Sequence, residues 1–192
     1  MTDLPERLRE ALAARVPGVA AEWTAVPAAV LVPLIRDAGE WGVLYTRRTE
    51  SVETHRGQVS FPGGRLESGE PPAAGALREA EEELGIRPED VTVVGQMDSL
   101  LTVTQYAVTP IVATLPWPYT FLPHPAEVAS VFHVPLAWLA DPAHLETRRR
   151  EPFGLGPSVP VNYFEPYLGE VIWGVTARIT LDLLTLLGMR TA

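Results

Sequence analysis

Residues 64–86 read Gly64-Arg65-Leu66-Glu67-Ser68-Gly69-Glu70-Pro71-Pro72-Ala73-Ala74-Gly75-Ala76-Leu77-Arg78-Glu79-Ala80-Glu81-Glu82-Glu83-Leu84-Gly85-Ile86, and this stretch decides the fold. A helix is predicted to open at Glu70 or Pro71, where proline is tolerated in the first turn, and to run to Leu84, with Gly85 as its C-cap. At about 100° per residue, Ala73, Leu77, Ala80 and Leu84 share one narrow stripe that must face a core. Glu79, Glu82 and Glu83 fall on another face, close to the opposite side, and their i, i+3 and i+4 spacing makes them near neighbours. A charge run is ordinarily a solvated face. Here Glu79, Glu81, Glu82 and Glu83 crowd the last turn, where the helix dipole disfavours anions by roughly 0.3–1 kcal/mol each. Selection for stability alone would put lysine or arginine there. The expected compensation is a hard divalent cation, Mg²⁺ or Mn²⁺. Arg78 lies on the same side as Glu70, eight positions earlier, and an ion pair between them would brace that face.

With Gly64, Glu70 and the run from Arg78 to Ile86 in place, the segment resembles the complete Nudix box, G-x5-E-x7-R-E-U-x-E-E-x-G-U, where U is aliphatic. Every fixed position matches. The resemblance implies an α/β fold, an α/β/α sandwich with a mixed β-sheet, and a loop–helix–loop that holds a divalent ion at a nucleoside-diphosphate-linked substrate. It makes Glu79, Glu82, Glu83 and the Gly64 carbonyl the metal ligands, and Glu70 and Arg78 the partners that support them. Pyrophosphate hydrolysis needs charge neutralised on the phosphoryl groups and a water activated for in-line attack, and carboxylates can serve both ends. Glu83, Glu82 and Glu127 are the candidate catalytic carboxylates. The base is Glu83 or a loop residue such as Glu127, which precedes an expected strand; its alternative is a plain surface charge.

Upstream, Leu44-Tyr45-Thr46-Arg47-Arg48-Thr49, then Gly57, then Phe61-Pro62-Gly63-Gly64, is similar to the motif of the coenzyme A pyrophosphatase branch, L-L-T-x-R-[SA]-x3-R-x3-G-x3-F-P-G-G. Thr46, Arg48, Gly57 and Phe61 to Gly64 match. Tyr45, Thr49 and Glu53 depart from it, and Arg56 is the candidate for the missing charge. The segments at Pro135-Leu136 and at residues 172–178 also resemble this branch. It implies hydrolysis of coenzyme A, its acyl derivatives or its oxidised forms to 3′,5′-ADP and 4′-phosphopantetheine. Arg48, Arg56 and Phe61 are the candidate substrate contacts. Arg47 and Arg65 are expected to cap strands or pair with acids, and His55 is either a loop residue or a phosphate contact. Phe61 either packs beneath its turn or stacks on adenine.

The rest of the composition sets bounds. The 192 residues, 46% hydrophobic and 20% charged, suit one domain with a substantial core, expected as a single unit from 1 to 192. A helix is expected at 3–15 and another at 175–187. Strands are expected at 28–37, 41–47, 91–101, 106–115 and 127–134, with a turn at 61–64 and a short helix at 135–139. Residues 147–151 and 159–164 could pair across 153–157. There is no cysteine, hence no disulfide and no thiolate metal site. The first residues lack the apolar core of a signal peptide and no apolar run reaches a membrane span, so a cytoplasmic protein off the membrane is expected. A net charge of −9 argues against non-specific nucleic-acid binding and would repel a phosphate substrate. The basic stretch Arg47, Arg48, His55, Arg56 and Arg65 could offset that field locally. Two other readings stand beside the coenzyme A hydrolase: the same chemistry on ADP-ribose, a dinucleoside polyphosphate or a nucleoside triphosphate, and a module that binds metal or nucleotide without turnover. The expected state is monomer or homodimer, with residues 181–187 closing the core or joining two copies.

Overall fold

The computed structural model describes residues 3–16, 18, 24–50, 57–151 and 158–190. Ten strands and four α-helices follow in chain order: α1 (Leu4–Ala13), β1 (Val26–Asp37), β2 (Glu40–Arg48), β3 (Val59–Ser60), β4 (Gly63–Arg65), α2 (Pro72–Leu84), β5 (Thr92–Gln96), β6 (Leu100–Leu101), β7 (Tyr106–Thr114), β8 (Val128–Pro135), α3 (Leu136–Ala140), β9 (Leu145–Arg150), β10 (Val159–Phe164) and α4 (Gly174–Leu186). Among the described residues, β1 to β8 form one sheet of eight strands and β9 pairs with β10. The sheet is mixed, because β1 runs parallel to β7 and antiparallel to β2 and β4.

Alternation along β1 builds the two layers. Ala29, Leu31 and Ile35 join Ala76, Ala80 and Leu84 of α2 in one core. Val32 and Leu34 join Leu8 and Leu12 of α1 and Leu183 and Leu184 of α4 in the other. Helices therefore cover both faces, which is the expected α/β/α sandwich. Residues 181–187 contribute Leu183, Leu184 and Leu187 to that second core.

Proline in a central strand is ordinarily excluded by its missing donor. Pro33 is accommodated because β1 pairs with β4 through residues 28–30 and with β2 through residues 34–37, and the two partners splay apart between. Leu31, two residues earlier and so facing the same edge, donates instead to the Pro62 carbonyl at 2.9 Å. The splay admits β3 and β4, and that corrects the turn expected at 61–64: Gly63 and Gly64 are strand residues, opposite Val30 and Ala29.

The strand expected at 91–101 is interrupted after Gln96. Asp98 accepts from the Gly18 amide at 2.8 Å, and the Ser99 amide donates to the Gly18 carbonyl at 2.8 Å, so this stretch holds the N-terminal segment instead of continuing the ladder. β9 and β10 pair as residues 147–151 and 159–164 suggested; the connecting residues 153–157 lie outside the described ones. No helix among the described residues is long and apolar enough to cross a membrane.

Tyr45 is fully buried, with its ring 5.0 Å from Phe61 and its hydroxyl 2.9 Å from Thr180 Oγ1 on α4. Burial pushes its phenol well above the ordinary range. Tyr45→Phe should lower stability by about 0.5–1.5 kcal/mol, the net value of one hydrogen bond. A urea midpoint equal to that of the wild type would show that the bond contributes nothing.

Candidate active site

Arg78 organises the start of the site. Its Nε and Nη2 donate to the two oxygens of Glu70 at 3.0 and 3.1 Å, and Nη2 also donates to the Arg65 carbonyl at 3.0 Å. Nη1 donates to Glu79 at 2.9 Å and reaches Glu82 at 3.4 Å. One planar fork thus ties β4, the loop before α2 and two carboxylates of α2 into a unit. The guanidinium holds the Glu70 carboxyl below the usual carboxylate range. Glu79 in turn lies against the backbone of Gly64: a Cβ at residue 64 would sit 2.5 Å from its carboxyl carbon. Only glycine leaves room for that approach.

The three carboxylates expected on one face, close to the side opposite the core stripe, are not equivalent. Glu82 is exposed, Glu79 is mostly covered, and Glu83 is buried at 5% exposure. The buried line on α2 runs through Ala76, Ala80, Glu83 and Leu84, with Ala73 and Leu77 only partly buried. Glu83 lies seven residues after Ala76 and three after Ala80, so it borders the core stripe instead of opposing it. Its Oε2 accepts from the Gly63 amide at 3.3 Å, and its Oε1 is 3.7 Å from Arg48 Nη1. The Glu83 carboxyl is pushed up to about 7, chiefly by burial; Arg48 and the Gly63 amide act against the rise, and the charges of Glu127 and Glu79 add to it.

The end of α2 fixes a second element. Gly85 adopts φ 67° and its amide returns to the Glu81 carbonyl. The Leu84 and Glu83 carbonyls, without partners inside the helix, accept from the amides of Leu122 and His124, each at 2.8 Å. This loop leads to Glu127. At its far end Thr49 clasps it, Oγ1 donating to the Ala126 carbonyl at 2.7 Å and the amide to the Glu127 carbonyl at 2.9 Å. Thr49 directly follows Arg48, so the end of β2 positions both Arg48 and Glu127 around Glu83.

Phe61 falls elsewhere than at a substrate contact, whereas Arg47 makes the acid pairs expected of it. Phe61 is buried at 4% exposure against Tyr45 in the core, so it packs beneath its strand and offers no ring face to adenine. Arg47 pairs with Glu50 at 3.3 Å and Glu170 at 3.7 Å. Arg65 lies along Tyr106. Arg56, His55 and Glu53 lie outside the described residues.

A NUDIX domain model matches residues 25–153, which spans the sheet, α2 and the Glu127 loop. The chain belongs to the Nudix family. It is 39% identical over 167 residues to an uncharacterised Nudix hydrolase, NudL, of Citrobacter koseri, covering 85% of this chain and 83% of that one. It is 38% identical over the same length to NudL of Escherichia coli K12. Among solved structures it resembles the Nudix hydrolase RenU of M. smegmatis, at TM-score 0.52 and 23% identity, covering 65% of this chain and 81% of that one. A Caenorhabditis elegans (C. elegans) Ap4A hydrolase complex superposes at TM-score 0.50 and 24% identity, covering 57% and 80% respectively. Both structures speak for the fold.

A Nudix hydrolase is a pyrophosphohydrolase, and the family generally needs divalent metal ions. Among the described residues no three carboxylate or histidine side chains converge as a preformed cage. Glu79 and Glu82 are turned to Arg78, and Glu83 to Gly63. The donor chemistry nevertheless fits a hard cation: the groups are all oxygens, one of them a buried carboxylate whose nearest cation stands at 3.7 Å. The Arg48–Glu83 approach, the Thr49 clasp and the capping loop were not legible in the sequence, because each joins segments far apart in the chain. The threonine–arginine spacing of the upstream motif was the one signal that pointed to them.

Two outcomes are expected. Arg78→Lys keeps the charge but loses the fork, and should lower turnover at least tenfold with a small change in unfolding midpoint; turnover close to wild type would remove Arg78 from the site's organisation. Glu83 binds its proton more tightly in the folded chain than in the unfolded one, where 4.5 applies. Its contribution to stability is therefore present below pH 4.5 and is lost as pH rises through about 7. In chelator, the melting temperature should fall across that window, Glu83→Gln should flatten the fall, and saturating Mg²⁺ should stabilise more at about pH 8 than at about pH 5. A Mg²⁺ effect independent of pH would contradict this.

Proposed function

We propose that this Nudix hydrolase cleaves the pyrophosphate of coenzyme A or its derivatives to 3′,5′-ADP and 4′-phosphopantetheine, with Mg²⁺ or Mn²⁺ as cofactor. The observation that carries the reading is the place of Arg48. The arginine of the upstream motif stands with its guanidinium beside Glu83 of the box, and its Nε is buried without an acceptor. A buried donor left over at a carboxylate cluster suits a phosphate oxygen. Two of the three departures from the branch motif have structural work: Tyr45 reaches across the core to Thr180, and Thr49 holds the Glu127 loop. Neither is a lost substrate contact. The segment at residues 172–178 is tied to the same motif, since Thr176 Oγ1 donates to the Val59 carbonyl at 3.1 Å.

In this reading Glu79, Glu82, Glu83 and the Gly64 carbonyl would hold the ion, which would neutralise phosphoryl charge and acidify water. Arg78 fixes Glu79 and Glu82 and is itself held by Glu70. Glu83 or Glu127 takes the proton of the attacking water. Arg48 grips a phosphate oxygen and opposes the repulsion of a chain with net charge −9.

A panel of coenzyme A, 3′-dephospho-coenzyme A, ADP-ribose and Ap4A with Mg²⁺ or Mn²⁺, products identified by mass, tests the substrate. Coenzyme A should have the highest kcat/KM. Preference for ADP-ribose or Ap4A would replace the substrate, and the absence of any metal-dependent product would point to a binding module. Glu83→Gln should cut turnover by about 10²–10⁴-fold with an unchanged circular-dichroism spectrum; activity within a few-fold of wild type would refute its role.

A further inference from the structure

The site holds two arginines of opposite character. Arg78 is locked, with contacts to three carboxylates and a carbonyl. Arg48 is not. Among the described residues its anionic neighbour is Glu83, at 3.7 Å and outside hydrogen-bond reach, so the attraction is Coulombic and imposes no fixed geometry. Its Nε is buried without an acceptor. Its neighbour Arg47 is engaged elsewhere, with Glu50 and Glu170. Around Glu83 stand the charges of Glu79 and Glu127, and on the positive side Arg48 and the Gly63 amide.

We propose that Arg48 is the resident counter-ion of Glu83 in the metal-free protein and is released to bind substrate phosphate only when a divalent cation takes over that carboxylate. This rests on the reading as a metal-dependent pyrophosphate hydrolase and adds an order to it, metal before substrate. The physics is competition for one buried anion. A doubly charged ion at Glu83 outweighs a single charge at 3.7 Å and repels it. Arg48, anchored through β2, then has a displaced guanidinium and an unfilled Nε at the mouth of the same cluster. The anion that can satisfy both is the phosphate arriving with the substrate. Without metal, Glu83 keeps Arg48 occupied and the uncompensated carboxylates repel the phosphate, which protects the protein from binding substrate it cannot turn over.

The test reads metal and ligand binding, not turnover. By calorimetry, Arg48→Gln should bind Mn²⁺ about fivefold or more tightly than wild type, because a competing cation is gone. Arg48→Lys, which keeps the charge, should stay within about twofold of wild type. Equal or weaker Mn²⁺ binding by Arg48→Gln overturns the proposal, as does equal tightening in Arg48→Lys. Should Arg48→Gln fail to fold, the wild type decides alone. In its ¹⁵N spectrum the Arg48 Nε–H signal should shift on adding Mg²⁺, and 3′,5′-ADP should shift it further only with Mg²⁺ present. A 3′,5′-ADP shift of equal size in chelator overturns the order. Wild type that binds Mn²⁺ and cleaves coenzyme A while Arg48→Gln shows no tightening sinks this inference and leaves the functional reading standing. Wild type that binds no Mn²⁺ sinks both, and Mn²⁺ binding with tightening but no cleavage of coenzyme A removes only the substrate.

Discussion

The guanidinium of Arg78 is the point at which three pieces of chain become one site. It grips both oxygens of Glu70, the carbonyl of Arg65 in β4 and the carboxylates of Glu79 and Glu82. Without it, four acidic residues from Glu79 to Glu83 would repel one another at the unfavourable end of a helix dipole. Gly64 supplies the matching steric condition, because the Glu79 carboxylate occupies the place of a side chain there. The attraction and the missing Cβ together let the Glu79 carboxylate lie against the strand backbone.

Glu83 stands apart from this brace. It is turned to Gly63 and Arg48 and buried beside the core, so its charge is the costly one and its environment the adjustable one. The division is mechanically useful. Glu79 is held by Arg78 and Glu82 lies exposed at the edge of the same guanidinium, while the buried third stands between an amide and an arginine. The loop that caps the α2 carbonyls brings Glu127 to the same place, and the threonine after Arg48 closes it. Satisfying helix-end carbonyls thus also assembles the site.

The legibility of the sequence followed the range of the interactions. Periodicity gave α2 and its Gly85 stop, because both are local. Alternation gave β1, β2, β7 and β8 to within a residue or two. It failed at 61–64, where Pro-Gly-Gly reads as a turn and is instead inserted between splayed strands, and at 97–99, where Asp98 and Ser99 hold Gly18. The helical wheel placed Glu83 with Glu79 and Glu82. The stripe drawn through Ala73 and Leu77 was the wrong one, since both are only partly buried; drawn through Ala76 and Ala80, the same periodicity brings Glu83 to the edge of the core. Phe61 likewise sat in a motif of apparent substrate contacts, and the core claimed it through Tyr45.

The sequence by itself determined the family, the helix that bears the carboxylates and the hard-oxygen character of the site, since these depend on residue type at fixed short spacing. Tertiary structure alone decided which carboxylate is buried and that Arg48 faces it. It also decided that Thr49 and the loop through His124 deliver Glu127 beside it. Burial and long-range approach are properties of how layers pack, and residues as far apart in the chain as Arg48 and Glu83 carry no mark of their meeting until the sheet brings them together. The helix at 72–84 carried its crowded glutamates in plain sequence; the fold showed which of them is buried.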